Sequence, residues 1–383
     1  MNILVLSDNY TKGGLETQIY TYWSELRKDN SIYFCFTNYE DTGLLDNEIV
    51  FDGFHFAYES TIEETQRDVE RLVYLIDKKQ IDVIHVHPWF AIYPAYFAAA
   101  RTGIKVVYTY HGTGSINYNF NLLDNILLEE VITSTISHVF CVGQQGFDLL
   151  RSIHFGADHI SLLPNPINVE RLIQAEHSID RPFKWALVSR LDADKSPTIE
   201  KLFSMLNELD IDEIDVYGDG SQSQFLQDLT KTAVKEIRFF GHKNDIPSLI
   251  ADNGYSGVIG LGRCAIEGLA IGLPVLFIGY GKIVGLIDHD IYERAKAINF
   301  VPEGFREKSV TEINEQIQEL AKSSNNYNLR DNVINDFDIK TISKDYCRVL
   351  ETVTAKSPCY VNELFDALTK IELCPYNGVN SYL

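Results

Sequence analysis

Short β-branched runs alternate with amphipathic helical windows along this chain, and the alternation starts afresh near its middle. Such a pattern is satisfied by a parallel sheet covered with helices, because each parallel crossover needs a dozen or more residues and a helix supplies them. The first series of runs falls at 3–7, 32–36, 49–51, 83–86, 106–110, 139–142 and 160–163, with helical windows at 14–28, 63–79 and 122–133. The second falls at 185–189, 214–217, 237–240, 257–259 and 275–278, with helices over 196–209 and 221–234. Pro164-Asn165-Pro166 and the polar stretch 176–181 lie between the two, so a hinge is expected there. The tail after Phe337 reads as helices over 342–353 and 360–371. At roughly 150 residues per domain, two domains fit this length. The expected fold class is α/β, two Rossmann-like doubly wound parallel-sheet domains facing across a cleft, over 1–168 and 169–337, with 338–383 crossing back onto the first.

Charge narrows the partners. With 33 basic and 54 acidic residues the formal net charge is −21, and both halves of the chain are acidic. A nucleic-acid binder needs a cationic stripe to displace phosphate counterions, so that class is excluded. Six scattered cysteines form no Cys-x-x-Cys pair, which favours buried thiols in a reducing compartment. The opening apolar run is too short for a secretory leader core. The most apolar region, 256–281, carries Arg263 and Glu267 and is broken by Pro274, so it does not read as a membrane span. These features together lead to an expectation of a cytoplasmic protein. The aromatic stretch from Pro88 to Tyr93 reads as a buried helix start, or as a point of peripheral membrane contact.

Open α/β sheets bind ligands beyond the carboxyl ends of their strands, so chemistry is expected in the loops there. Gly13 and Gly14 precede a helix, where backbone N–H groups can approach an anion, although a plain strand-to-helix turn has the same appearance. The spacing is not Gly-x-Gly-x-x-Gly, and neither half contains that pattern after its first strand, which argues against a nicotinamide-dependent dehydrogenase. His111 ends a strand run and is followed by Gly112; both a structural and a cleft-facing role fit it. His85 and His87 share one face of the preceding strand, and without an acidic or cysteine neighbour they suit packing or substrate contact better than a metal. Arg190 and Lys195, five residues apart at a strand-to-helix junction, suit a diphosphate that gains negative charge as its bond breaks. Asp192-Ala-Asp194 has the form of a metal-binding pair, but the same spacing recurs at Asp210-Ile-Asp212 and Asp288-His-Asp290, as an acidic chain would produce by chance. Glu267 sits among Cys264, Ala265, Ile266 and Leu269, where burial requires a partner; vicinal ribose hydroxyls are one, and a wet helix face is the alternative.

Seven pieces occur in an order that resembles glycosyltransferase family 4 and the GT-B fold. They are Lys12-Gly-Gly-Leu-Glu16, His85-Val-His87, Tyr110-His-Gly112, Leu163-Pro-Asn-Pro-Ile-Asn168, Ser189-Arg-Leu-Asp-Ala-Asp-Lys195, Tyr217-Gly-Asp-Gly220 and Ile266-Glu-Gly-Leu-Ala-Ile-Gly-Leu-Pro-Val275. The resemblance implies a retaining, metal-independent glycosyltransferase of hexosyl type. It implies a nucleotide diphosphate sugar of UDP or GDP type as co-substrate, no further cofactor, and a glycan or lipid-linked acceptor in bacterial surface polysaccharide synthesis. By position, Arg190 and Lys195 then hold the diphosphate, Glu267 the ribose, and Gly13 and Gly14 form the loop that closes on phosphate and acceptor. Gly218 lines the donor, and His111 contacts its sugar near the reacting carbon. The family's glutamate eight residues before the ribose-binding one is replaced by Ile259, and Arg263 reads either as a phosphate contact or as a surface cation. That departure keeps a second expectation open, a catalytically inert subunit that binds and stabilises a partner transferase.

Overall fold

Ile3, Leu4, Val5 and Leu6 are all inaccessible to solvent, as a strand covered on both faces of a parallel sheet requires. They lie in β1 (Asn2–Tyr10), the third strand of a seven-stranded sheet. The computed structural model describes residues 1–10, 14–40, 45, 49–56, 60–87, 91–111, 136–152, 159–172, 174–175, 183–231, 233–243, 245–322 and 325–356. The helical windows expected at 122–133 and 360–371 fall outside them, as does Gly13. The chain divides into one unit of Met1–Pro166 with the residues from Ile339 onward, and a second of Ile167–Asp338.

In the first unit the elements after β1 are α1 (Gly14–Leu26), β2 (Ser31–Tyr39), β3 (Val50–Phe51), α2 (Ile62–Lys79), β4 (Val83–Val86), α3 (Ile92–Thr102), β5 (Lys105–Tyr110), β6 (Ile136–Cys141), α4 (Gln144–Ser152) and β7 (Ile160–Leu162). The strand order is β3-β2-β1-β4-β5-β6-β7, and every pairing is parallel. Local signals place α2: Thr61 accepts from the Glu64 N–H while the Glu64 carboxylate accepts from the Thr61 N–H, a capping box, and Ile62, Val69, Leu72 and Ile76 recur on the buried face. Ala91, Ile92 and Tyr93 are buried at the start of α3, so these residues fit the helix-start reading of the aromatic stretch; Pro88, Trp89 and Phe90 lie outside the described residues.

The second unit holds β8 (Lys184–Val188), α5 (Ser196–Met205), β9 (Glu213–Tyr217), α6 (Ser223–Thr230), β10 (Glu236–Gly241), α7 (Ile246–Asp252), β11 (Gly257–Gly260), α8 (Arg263–Ala270), β12 (Val275–Gly279), β13 (Lys282–Leu286), α9 (His289–Ala297), α10 (Val310–Lys322) and α11 (Arg330–Phe337). Its strand order is β10-β9-β8-β11-β12-β13. The chain enters and leaves this unit side by side, since the Ile167 N–H donates to the Phe337 carbonyl at 2.9 Å. α12 (Ile339–Thr352) then belongs to the first unit, where Ile339, Ile342, Tyr346 and Leu350 join the core with Ile3, Val5 and Trp23.

One strand departs from the expected all-parallel pattern. β13 pairs antiparallel with β12, with Gly279 opposite Lys282. The two residues between them, Tyr280 at φ 48° and Gly281 at φ 79°, both adopt the left-handed region. That is the geometry of a type I′ hairpin, which reverses the chain in two residues. Asn-Gly is the usual signature of this turn, and Tyr-Gly hides it from a reading by residue type.

No helix among the described residues is long and apolar enough to cross a membrane.

Candidate functional site

The order of each sheet reverses its direction of winding at one point, between β1 and β4 in the first unit and between β8 and β11 in the second. Loops leaving the carboxyl ends of strands on either side of such a point diverge and leave a crevice. Arg190 and Lys195 follow β8, Gly218 follows β9, and Arg263 and Glu267 follow β11. His111 follows β5 in the first unit, and Gly14 opens α1 after β1.

After β8 and β9 the two connections lie backbone against backbone. The Ser189 N–H donates to the Tyr217 carbonyl at 3.1 Å, the Leu191 N–H to the Asp219 carbonyl at 2.9 Å, and the Gln222 N–H to the Leu191 carbonyl at 2.8 Å. This approach requires Gly218, at φ 141°, because a Cβ there would collide with the Ser189 carbonyl oxygen. A Cβ on Gly220 would lie 2.6 Å from both Leu191 O and Asp192 Oδ1. The glycine pair of Tyr217-Gly-Asp-Gly220 is therefore a packing requirement of the Arg190 loop.

Within that loop the two cations converge. The Arg190 guanidinium bonds Asp192 Oδ2 at 2.8 Å and lies 3.6 Å from Asp194 Oδ2; Lys195 Nζ lies 3.2 Å from the same Asp194 oxygen. Asp192 also accepts from the Ser221 N–H at 3.1 Å. Both aspartates of the Asp-x-Asp pattern are thus engaged by cations, and no metal-ligating cluster of three side chains occurs among the described residues. Lys195 Nζ sits 3.9 Å from the centroid of the Tyr280 ring, carried in by the β12–β13 turn, whose Gly281 N–H donates to Thr198 Oγ1 at 2.7 Å.

Across the switch point, Gly262 at φ 56° turns the chain from β11 into α8 in two residues. Arg263 Nε donates to Glu267 Oε1 at 2.7 Å one helical turn on, with both side chains 18 % exposed. Arg263 is thus neither a solvated surface cation nor distant from Glu267. Burial pushes the neighbouring Cys264 thiol up to about 12, with Glu267 adding to the effect. Ile259 lies within β11, fully buried and opposite Leu187 and Leu276. The position read as a missing acid is thus a core position, and only Leu261 and Gly262 separate β11 from α8.

In the first unit three imidazoles adjoin at the ends of β4 and β5. His85 Nδ1 lies 2.7 Å from the Tyr346 hydroxyl and its Nε2 2.7 Å from Thr109 Oγ1. His87 stacks on His85 with ring centroids 4.0 Å apart, and its Nδ1 lies 2.9 Å from His111 Nε2. Burial holds His111 down to about 4 and His85 and His87 well below the usual imidazole range, with mutual repulsion adding to the last two. All three rings are neutral at physiological pH.

Arg190, Lys195 and Gly218 are thus brought together, Arg263 and Glu267 form a pair beyond the adjoining strand, and His111 belongs to the histidine set. Gly13 lies outside the described residues. Tyr280 was not anticipated: it is far from Lys195 in the chain, and only the unusual turn brings it there. His87 as partner of His111 was legible only as a shared strand face with His85.

Residues 12–171 match the family model described as Glycosyltransferase Family 4. No curated protein matches the chain by sequence. Among solved structures, Anabaena HepE in complex with UDP-glucose is 17% identical over 92% of this chain and 100% of its own, with a TM-score of 0.68. Sucrose-phosphate synthase of Thermosynechococcus elongatus is 14% identical over 96% and 99%, with a TM-score of 0.66. The lipopolysaccharide outer core galactosyltransferase WaaB is 14% identical over 92% and 99%, with a TM-score of 0.62. The fold is GT-B, and the family that matches is the one the seven motifs resemble.

Proposed function

We propose, from the match of residues 12–171 to Glycosyltransferase Family 4 and the GT-B fold of the whole chain, a specific reaction for this glycosyltransferase. It transfers a hexosyl-type sugar from a UDP-type donor, with retention and without a bound metal, to a glycan or lipid-linked acceptor in bacterial surface polysaccharide synthesis. The observation that carries this reading is the convergence of Arg190 and Lys195 on one carboxylate oxygen of Asp194, at the carboxyl end of β8. Two cations sharing one anionic oxygen form a ready-made cradle for a diphosphate, which replaces the carboxylate. The UDP-glucose and UDP complexes of the structurally similar HepE support the choice of base.

In this assignment the bond from the sugar's anomeric carbon to the diphosphate oxygen breaks and a bond to the acceptor hydroxyl forms on the same face. The hydroxyl proton passes to the departing β-phosphate oxygen. Arg190 and Lys195 stabilise the charge that grows on the diphosphate, which is where fixed charges contribute most to rate. Glu267 accepts hydrogen bonds from the ribose hydroxyls, and Arg263, freed from it in part, turns to the phosphates. His111, neutral, serves as a hydrogen-bonding partner of the sugar near the reacting carbon. Gly13, Gly14 and Gly218 are assigned to the backbone that adjoins the donor. The chain works on the cytoplasmic side.

A panel of nucleotide sugars assayed for donor hydrolysis tests the reading. Hydrolysis of a UDP-sugar, reduced at least about tenfold in Lys195→Ala and in Glu267→Ala, is the expected result. Full activity in both variants overturns the site. No turnover with any donor, together with no UDP uptake by calorimetry, overturns the function.

A further inference from the structure

The contact between His87 and His111 allows the protons of both rings to be assigned. At 2.9 Å between His87 Nδ1 and His111 Nε2 one proton must lie between the nitrogens, since two N–H groups repel and two lone pairs do not bond. The other nitrogen of His87 decides which ring supplies it. His87 is 5 % exposed, and its Nε2 is buried without a hydrogen-bonding partner among the described residues. If His111 were the donor, neutral His87 would carry its own proton on Nε2 and bury an N–H with nothing to accept it. If His87 is the donor, Nε2 keeps a lone pair. Orphaned buried N–H groups are the rarer and costlier of the two. The ring is also held in place, stacked on a His85 that is itself bonded at both nitrogens, with Trp23 edge-on to both.

We propose that His87 is a positioning residue that donates from Nδ1 to Nε2 of His111, and so fixes His111 as an Nδ1–H donor for an oxygen of the donor sugar. The use of that donor rests on the placement of His111 at the sugar given above; the tautomer itself does not. Toward the sugar, a ring fixed in this form can only give a hydrogen bond, since its Nε2 is already taken by His87. That suits the oxygen of the breaking bond at the anomeric carbon, where negative charge grows.

Proton–nitrogen correlation spectra of the full chain, labelled at histidine and free of ligand near neutral pH, read the tautomers directly. Both His111 and His87 are expected with Nδ1 protonated and Nε2 bare. His111 protonated at Nε2, or a mixture of the two forms, overturns the proposal. Two variants separate positioning from packing. His87→Asn sets an amide N–H near the place of the Nδ1–H, whereas His87→Phe fills the ring volume and cannot donate. Asn is expected to keep the His111 tautomer and most of the turnover. Phe is expected to lose the single tautomer and lower kcat by about tenfold to about hundredfold, as loss of a transition-state hydrogen bond does, with KM little changed. Equal losses in both variants overturn the proposal, and if Phe fails to fold the spectrum of the unsubstituted chain decides. A chain with the expected tautomer that hydrolyses no nucleotide sugar refutes the transferase reading alone. An active chain with the reverse tautomer refutes the role of His87 alone.

Discussion

Arg263 and Glu267 neutralise one another across a single turn of α8, Nε to Oε1 at 2.7 Å, in surroundings that leave each side chain 18 % exposed. The pair explains how a carboxylate is tolerated in an otherwise apolar helix in the free protein. In the proposed reaction the carboxylate exchanges this partner for ribose hydroxyls. Glu267→Gln keeps the shape and removes the charge, and is expected to weaken UDP binding about tenfold or more, since hydrogen bonds to a charged group are worth about 1.5–3 kcal/mol. Titration calorimetry reads this directly; unchanged affinity would remove Glu267 from the site.

Lys195 is held between Asp194 and the face of Tyr280. Tyr280→Gly deletes the ring and at the same time relieves the left-handed backbone at φ 48°. Stability in urea is therefore expected to match or exceed that of the parent chain. UDP affinity is expected to fall about two- to fivefold, the equivalent of about 0.5–1 kcal/mol of lost cation–π contact. A variant that unfolds more readily would show that the ring has a structural role instead.

Gly218 and Gly241 both have φ in the left-handed range, but only Gly218 lacks room for a side chain. Gly241→Ala should cost about 1–2 kcal/mol, the backbone penalty alone. Gly218→Ala adds a collision with the Ser189 carbonyl and should cost at least about 2 kcal/mol more, because backbone must move. Donor hydrolysis should fall with it, as Arg190 is on the displaced loop. Equal urea midpoints for the two variants would contradict the close approach.

The Tyr346 hydroxyl is a hydrogen-bonding partner of His85 Nδ1 at 2.7 Å, tying α12 to β4. Tyr346→Phe leaves a buried ring nitrogen unpaired, and a loss of about 1–3 kcal/mol is expected in thermal or urea unfolding. A loss below the error of the measurement would mean that water takes the place of the hydroxyl.

Acid should destabilise the first unit well above the carboxylate range. Burial holds His111 and His138 down to about 4, and His85 and His87 well below their usual value. With unfolded values near ~6.5, the unfolded chain binds more protons than the native one, so stability rises with pH in this window. The contribution is complete above about pH 6.5 and declines as pH falls towards 4, at about 1.4 kcal/mol per pH unit for each proton taken up only on unfolding. Urea midpoints measured between about pH 7.5 and about pH 4.5 should fall steadily, and His138→Gln should flatten the slope. A level profile over that range would refute the buried neutral imidazoles.

Periodicity is a local property, and it sufficed for most of the fold. The run 83–86 coincides with β4, the capping box of Thr61 and Glu64 opens α2, and the second series of strands begins where the apolar runs resume, at β8. The antiparallel β13 escaped because its turn uses tyrosine where Asn or Asp is usual, so nothing in residue type announced a reversal. Ile259 reads as the end of the strand run 257–259 and stands where the family has a glutamate, and the sheet keeps it in β11 as a fully buried core residue. That Arg190, Gly218 and His111 follow the carboxyl ends of strands was legible too, because the apolar runs before them are the strands β8, β9 and β5. What the chain alone did not decide is which of them meet. Asp194 bridging Arg190 and Lys195, Tyr280 under Lys195, and His87 against His111 depend on side-chain directions and on strands brought side by side from distant parts of the chain. Hydrophobic patterning needs only neighbours a few residues away, so it is written in the sequence; hydrogen bonds and ion pairs have a range of a few ångströms and exist only after the sheets have assembled.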